Sequence, residues 1–233
     1  RSKLVQPLEA GVVRAIHVKD GDRVQQGHLL IELDATAARA DGNRVAQEHA
    51  AATSEAWRTS ALMRALTTGN APVAPGRAGN TDAINPGSLS QLDAEWADIA
   101  ARLSKLGSEL ALRQAEAATV LQQIAKVQAT RPLLRQREQD VKSLADQGFM
   151  SSHAGQDRAR ERMEMERDLA TLQARQQETL AALRESEQSK RAYQAETQRA
   201  LRDRHTAAEL TQRQLHEEAA KTSQRTQLTQ LIA

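Results

Sequence analysis

Six histidines are scattered along the chain, at positions 17, 28, 49, 153, 205 and 216. Two histidines four apart on a helix could grip a zinc ion beside a glutamate base. His216-Glu217-Glu218 has no second histidine at that spacing. Cysteine is absent, which excludes a disulfide framework and a thiolate metal site. No Ser-His-Asp spacing marks a nucleophile and its base. The glycines from Gly69 to Gly79 are interrupted by Pro72 and Pro75, and no Gly-Lys-Ser/Thr follows to make a phosphate-binding loop. The chain is therefore read as non-enzymatic, with no catalytic residue, no cofactor and no metal.

The charge pattern excludes a further class. There are 32 basic and 30 acidic residues, and the two signs alternate along the helical stretches as on a solvated surface. A nucleic-acid binder would concentrate its basic residues and add stacking aromatics. Here only 2% of residues are aromatic, so no nucleic-acid partner is expected. With 39% hydrophobic residues, the 233-residue chain is poor material for a thick core and suits an elongated shape. There is no apolar run of about 18 residues to span a membrane, and no signal-peptide pattern. The chain starts at Arg1 rather than Met, so it is read as a piece of a longer protein whose membrane anchor lies outside it.

Periodicity sets the elements. Over 1–34, Leu4-Val5, Val12-Val13, Ala15-Ile16, Val18, Val24 and Leu29-Leu33 are short β-prone pieces punctuated by Gly11, Gly21 and Gly27. Asp34 suits the N-cap of a first helix over 35–67, with Val45, His49, Ala52, Ala56, Met63 and Leu66 as a thin stripe. Residues 68–88 are a Pro/Gly-rich loop. Ser88 and Gln91 can form a capping box for a second helix over 89–147. Steps of four and three then pick out Leu92, Trp96, Ile99, Leu103, Leu106, Leu110, Val120, Ile124, Val127, Leu134 and Val141, a coiled-coil seam. Arg113, Arg131 and Glu138 fall on the same seam. Pro132 lies inside this helix, off the seam, and should kink it. Trp57 and Trp96 read as packing anchors.

Gly148 suits the left-handed C′ position and Ser151 or Ser152 the next N-cap, so the chain turns back over 148–151. A third helix then covers 152–231, with a seam that does not hold one heptad register. At about 1.5 Å per residue it spans roughly 115 Å, against roughly 85 Å for the second helix. The first helix should therefore lie beside the unmatched part of the third, antiparallel to it. The fold class expected is mainly α: a long antiparallel coiled-coil hairpin of three helices with a small partial β domain.

The stretch Arg1-Ser2-Lys3, Pro7, Gly11-Val12-Val13, Ile16 to Val24 and Gly27 to Asp34 resembles the first half of a lipoyl-like domain. With the hairpin that follows, it resembles the HlyD branch of membrane fusion proteins, the periplasmic adaptors of type I secretion of RTX toxins. That resemblance implies an inner-membrane ABC transporter, a TolC-like outer-membrane channel and an exported protein substrate as partners. It also implies self-assembly into a hexamer. The family's hairpin tip carries an Arg–Leu–Ser set. Leu144 and Ser151 match its leucine and serine, and Arg137 takes the arginine's role, while the position four before Leu144 holds Asp140. Phe149 and Met150 complete the implied channel contact. A swinging-arm carrier would need a modified lysine between the two lipoyl halves; Lys19 lies elsewhere. The family's second half-lipoyl segment is expected after Ile232-Ala233. The other readings are a generic coiled-coil scaffold and an adaptor of a drug-efflux pump.

Overall fold

Short apolar runs separated by turn residues build a sheet first. In the computed structural model, which describes residues 5–6, 11–73 and 86–232, β1 (Val13–Ile16) pairs antiparallel with β2 (Leu29–Leu33). Between them the Asp22 N–H donates to the Lys19 carbonyl at 3.1 Å, and the Asp22 carboxylate accepts the Lys19 N–H at 2.8 Å. Gly21 and Gly27 take φ of 97° and 89° at their turns, where a side chain would be strained. Gly11 serves a close approach instead: a Cβ there would meet Leu33 Cδ1 at 3.2 Å.

A third strand, β3 (Gln230–Ile232), pairs antiparallel with the other edge of β2, giving the order β1-β2-β3. This differs from the expectation of a helix to 231 with the return to β wholly after Ala233. The helix stops at Leu228, and the Leu33 N–H donates to the Thr229 carbonyl at 2.8 Å. The physical reason is pairing. A strand here satisfies the open edge of β2 and buries Leu231, which one more helical turn would not do. The residues between Leu33 and Gln230 are thus inserted between two hydrogen-bonded strands.

The insertion holds α1 (Thr36–Thr68), α2 (Pro86–Asp146) and α3 (Ser152–Leu228). α1 begins one residue later than expected, so Ala35 rather than Asp34 is its N-cap and makes no side-chain cap bond. Asp34 stands one residue before it, its carboxylate accepting the Thr36 hydroxyl at 2.6 Å and the Thr36 N–H at 2.9 Å. Those two bonds hold the Asp34 carboxyl below its ordinary value. The Ser88–Gln91 capping box does not form. The helix already begins at Pro86, a residue suited to a first helical position. Ser88 is buried within it, and the Gln91 side chain accepts from Arg58 at 2.6 Å. Residues 74–85 of the expected 68–88 loop lie outside the described residues, as do Arg1-Ser2-Lys3, Leu4 and Pro7.

The chain divides into two compact units. The first takes in residues up to Ala97 and from Thr197 onward. In it α1 packs against the start of α2 and the end of α3. Val45 and Ala52 of α1 meet Leu215 of α3 in one apolar cluster, and Leu62, Thr59 and Leu92 are fully buried. Arg44 reaches Glu218 at 3.1 Å and Thr59 reaches His205 at 3.2 Å, so α1 runs antiparallel to this part of α3, as the length argument required. Met63 and Leu66 are only half-buried; the core stripe passes through Thr59, Leu62 and Ala65.

The second unit, Asp98–Glu196, is an antiparallel pair of α2 and α3. Val120 and Ile124 pack on Leu169, flanked by Val127 and Leu172. Every apolar seam residue expected on α2 is buried or half-buried. The α3 seam is more regular than expected. It runs through Met165, Leu169, Leu172, Gln176, Thr179, Leu183, Ser186 and Lys190 in steps of four and three. Polar residues occupy inner positions there, which hid the heptad from a search for apolar spacing. No helix among the described residues is long and apolar enough to cross a membrane.

Candidate docking turn and the polar clusters

The turn of the second unit is built by one glycine. Gly148 takes φ of 80°, its N–H donates to the Ala145 carbonyl at 3.0 Å, and the Phe149 N–H reaches back to the Leu144 carbonyl at 3.0 Å. This pair of bonds is the Schellman arrangement, which satisfies carbonyls that the helix end would otherwise leave open. Two residues later Ser151 starts the return, its carbonyl accepting the Ala154 N–H at 3.1 Å. So short a reversal leaves no room to fold side chains inward. Phe149, the only phenylalanine of the chain, is 77% exposed. Met150 is 42% and Leu144 41% exposed, and Ser151 is exposed as well.

Arg137 stands seven residues before Leu144, two turns along α2 on nearly the same face. It is exposed and has no ion-pair partner among the described residues. Asp140 lies between the two and is also exposed. The structure thus brings Leu144, Phe149, Met150 and Ser151 to one turn, and leaves Arg137 on the adjoining helix face.

Among the described residues, no group of three or more His, Asp or Glu is placed to hold a metal ion. Sequence reasoning missed a ring of charges joining the three helices of the first unit. Arg58 pairs with Glu55 and stands 3.0 Å from Glu95, the latter contact lacking hydrogen-bond angles. Arg204 closes the ring, reaching Glu55 at 2.7 Å and Glu95 at 2.9 Å. The Glu95 hydrogen bond, more than any other contact, raises the pKa of Arg204. No spacing along the chain announces this ring, because its members come from three helices. His205 adds a bond to the Ala56 carbonyl at 3.0 Å, tying α3 to α1.

Residues 34–229 match the family described as the CyaD alpha-helical hairpin domain. Those limits fall at the junction where Leu33 and Thr229 are hydrogen-bonded. The chain is 32% identical to Protein CyaD of Bordetella pertussis over 125 residues, 52% of this chain and 27% of that protein. It is 27% identical to RTX-I toxin determinant D of Actinobacillus pleuropneumoniae over 193 residues, 81% of this chain and 40% of the relative. The chain therefore spans well under half the length of these relatives. Its fold is that of the soluble domain of LipC, a membrane fusion protein of a type I secretion system. The TM-score is 0.74 at 20% identity, covering all of this chain and 89% of that one.

Proposed function

The chain belongs to the CyaD alpha-helical hairpin domain family, and on that premise we propose that it is the hairpin part of an HlyD-type periplasmic adaptor. The whole protein bridges an inner-membrane ABC exporter and a TolC-like outer-membrane channel, and it serves the export of a protein toxin. It acts without catalysis, by geometry: the turn at 148–151 docks on the channel, and copies of the chain, six in the assembled complex, surround the path of the substrate. Its place is the periplasm, on a protein anchored in the inner membrane. The sheet at β1–β3 is the first half of a lipoyl-like domain together with the opening strand of its return.

One observation carries the docking role. A chain with 2% aromatic residues places its single phenylalanine on the outside of a tight turn, next to exposed Met150 and Leu144. Exposed apolar side chains gathered at one place mark an interaction surface. Arg137 and Ser151 supply the polar part of the contact. The test is secretion of the toxin by cells whose only copy of the protein carries Leu144→Asp and Ser151→Asp. Burying unpaired carboxylates in an apolar contact is costly, so secretion is lost while the helical circular dichroism is retained. Undiminished secretion from the well-expressed double variant would sink the docking role.

A further inference from the structure

Three seam positions of α2 are charged, and they are used in two ways. Arg113 turns outward and bonds Glu116 of its own helix at 2.9 Å. Arg131 and Glu138 are half-buried and face α3. There Glu138 accepts from Arg162 at 2.7 Å, and Arg162 also bonds Glu166 at 2.8 Å. The Glu166 carboxylate takes two further arginines, Arg135 at 3.3 Å and Arg131 at 3.8 Å. Glu166 is therefore the hub, and its two α2 partners stand on opposite sides of Pro132.

That placement matters because Pro132 is the weak point of α2. Proline has no N–H, so the carbonyl four residues earlier, at Gln128, loses its helical donor, and the ring crowds the preceding turn. A helix with one missing rung bends there more easily than elsewhere. Arg131 holds the near side of the break and Arg135 the far side, both on one carboxylate of the neighbouring helix. Leu134, a buried seam residue, lies between them. The Nε–H of Arg131 is covered and has no acceptor among the described residues, and its Nη2 stands 3.8 Å from the Glu166 carboxylate, an ion pair rather than a hydrogen bond.

We propose that Glu166 is a positioning residue that clamps α2 across the proline break and so fixes the direction of the last stretch of the hairpin, the stretch carrying Leu144, Phe149 and Met150. The proposal rests on the docking role given to that turn and names what aims it. The Arg135 hydrogen bond, ahead of the other causes, lowers the pKa of Glu166, in keeping with a carboxylate held among arginines.

Spin labels are placed in the full-length protein at Gln122→Cys and Lys142→Cys, both exposed and ten residues either side of Pro132, with any cysteine outside this chain replaced by serine. Pulsed electron–electron distance measurement should give one narrow peak in the parent. In Glu166→Gln that peak is lost to a broad distribution, and Pro132→Ala in the same chain restores it by returning the backbone bond. Molar salt broadens the parent's peak in the same way by screening the pair, which gives a reading that needs no variant to fold. A narrow peak in Glu166→Gln, or a broad one that Pro132→Ala leaves broad, would overturn the clamp. Secretion is scored separately. Normal secretion from the Leu144→Asp, Ser151→Asp protein removes the docking role, and the distances still decide the clamp.

Discussion

The two units of this chain solve the same problem, holding α2 against α3, with different numbers of walls. In the first, α1 adds a third helix, and Val45, Leu62, Leu92 and Thr59 are enclosed completely. In the second there are only two helices, and buried side chains such as Val120, Ile124 and Leu169 keep 3–8% of their surface exposed. Two cylinders cannot surround a side chain on every side, so the seam is thin and tolerates Gln176, Thr179 and Ser186 at inner positions. Ion pairs follow the same division. The first unit ties three helices with one ring around Arg58 and Arg204, whereas the second uses a layer around Glu166. The contrast teaches what a third helix adds: it seals side chains completely in the first unit, while the second keeps a half-open seam held by apolar contacts and ion pairs together.

The most severe way to probe this contrast is to make the same deletion in both units. Leu62→Ala removes a fully enclosed side chain and should cost about 3–5 kcal/mol. Leu169→Ala leaves a gap that water can enter, so its cost should fall near the lower end of the range for such changes, about 2 kcal/mol. Chemical denaturation of the two variants gives both numbers, and equal costs would erase the distinction between the units. A smaller effect is expected at the turn. Gly148→Ala forces a side chain into the left-handed region and should destabilise the second unit by about 1–2 kcal/mol. Hydrogen exchange should show the loss at residues around the turn and leave the protection of α1 unchanged.

The smallest effect sharpens the first unit's side of the comparison. The Asp34 carboxyl is held below its ordinary value in the folded chain. A depressed folded pKa contributes stability above the unfolded value of about 4, and that stability is lost as pH falls through the folded value. The melting temperature of the parent should therefore exceed that of Asp34→Asn at neutral pH, with the gap closing as pH drops below about 4. A gap independent of pH would mean that the carboxylate's charge plays no part at the start of α1.

How much of this was legible in the sequence follows the same physics. The α2 seam from Leu92 to Val141 was readable because apolar residues recur there at heptad spacing. Gly148 was readable because a helix end needs a left-handed residue. The α3 seam was not, since packing against a single partner lets Gln, Ser and Thr serve as inner residues. Strand β3 was hidden for another reason: three residues carry no period, and its partner β2 lies at the other end of the chain. The interhelical ion pairs of both units depend on which helices are neighbours, so charge spacing within one helix does not reveal them. The turn residues were assigned through family resemblance; Leu144 lies off the α2 seam, which already points it outward, whereas the exposure of Phe149 and Met150 is a finding of the structure.

The docking role of the turn is tested most directly by contact. A photo-crosslinking amino acid is placed at Phe149 in the full-length protein, and the same probe at Leu210, an equally apolar exposed position of the first unit, serves as the control. Irradiation of secreting cells should give an adduct with the outer-membrane channel from position 149 and none from position 210. No channel adduct from 149, or equal yields from both positions, would contradict the account.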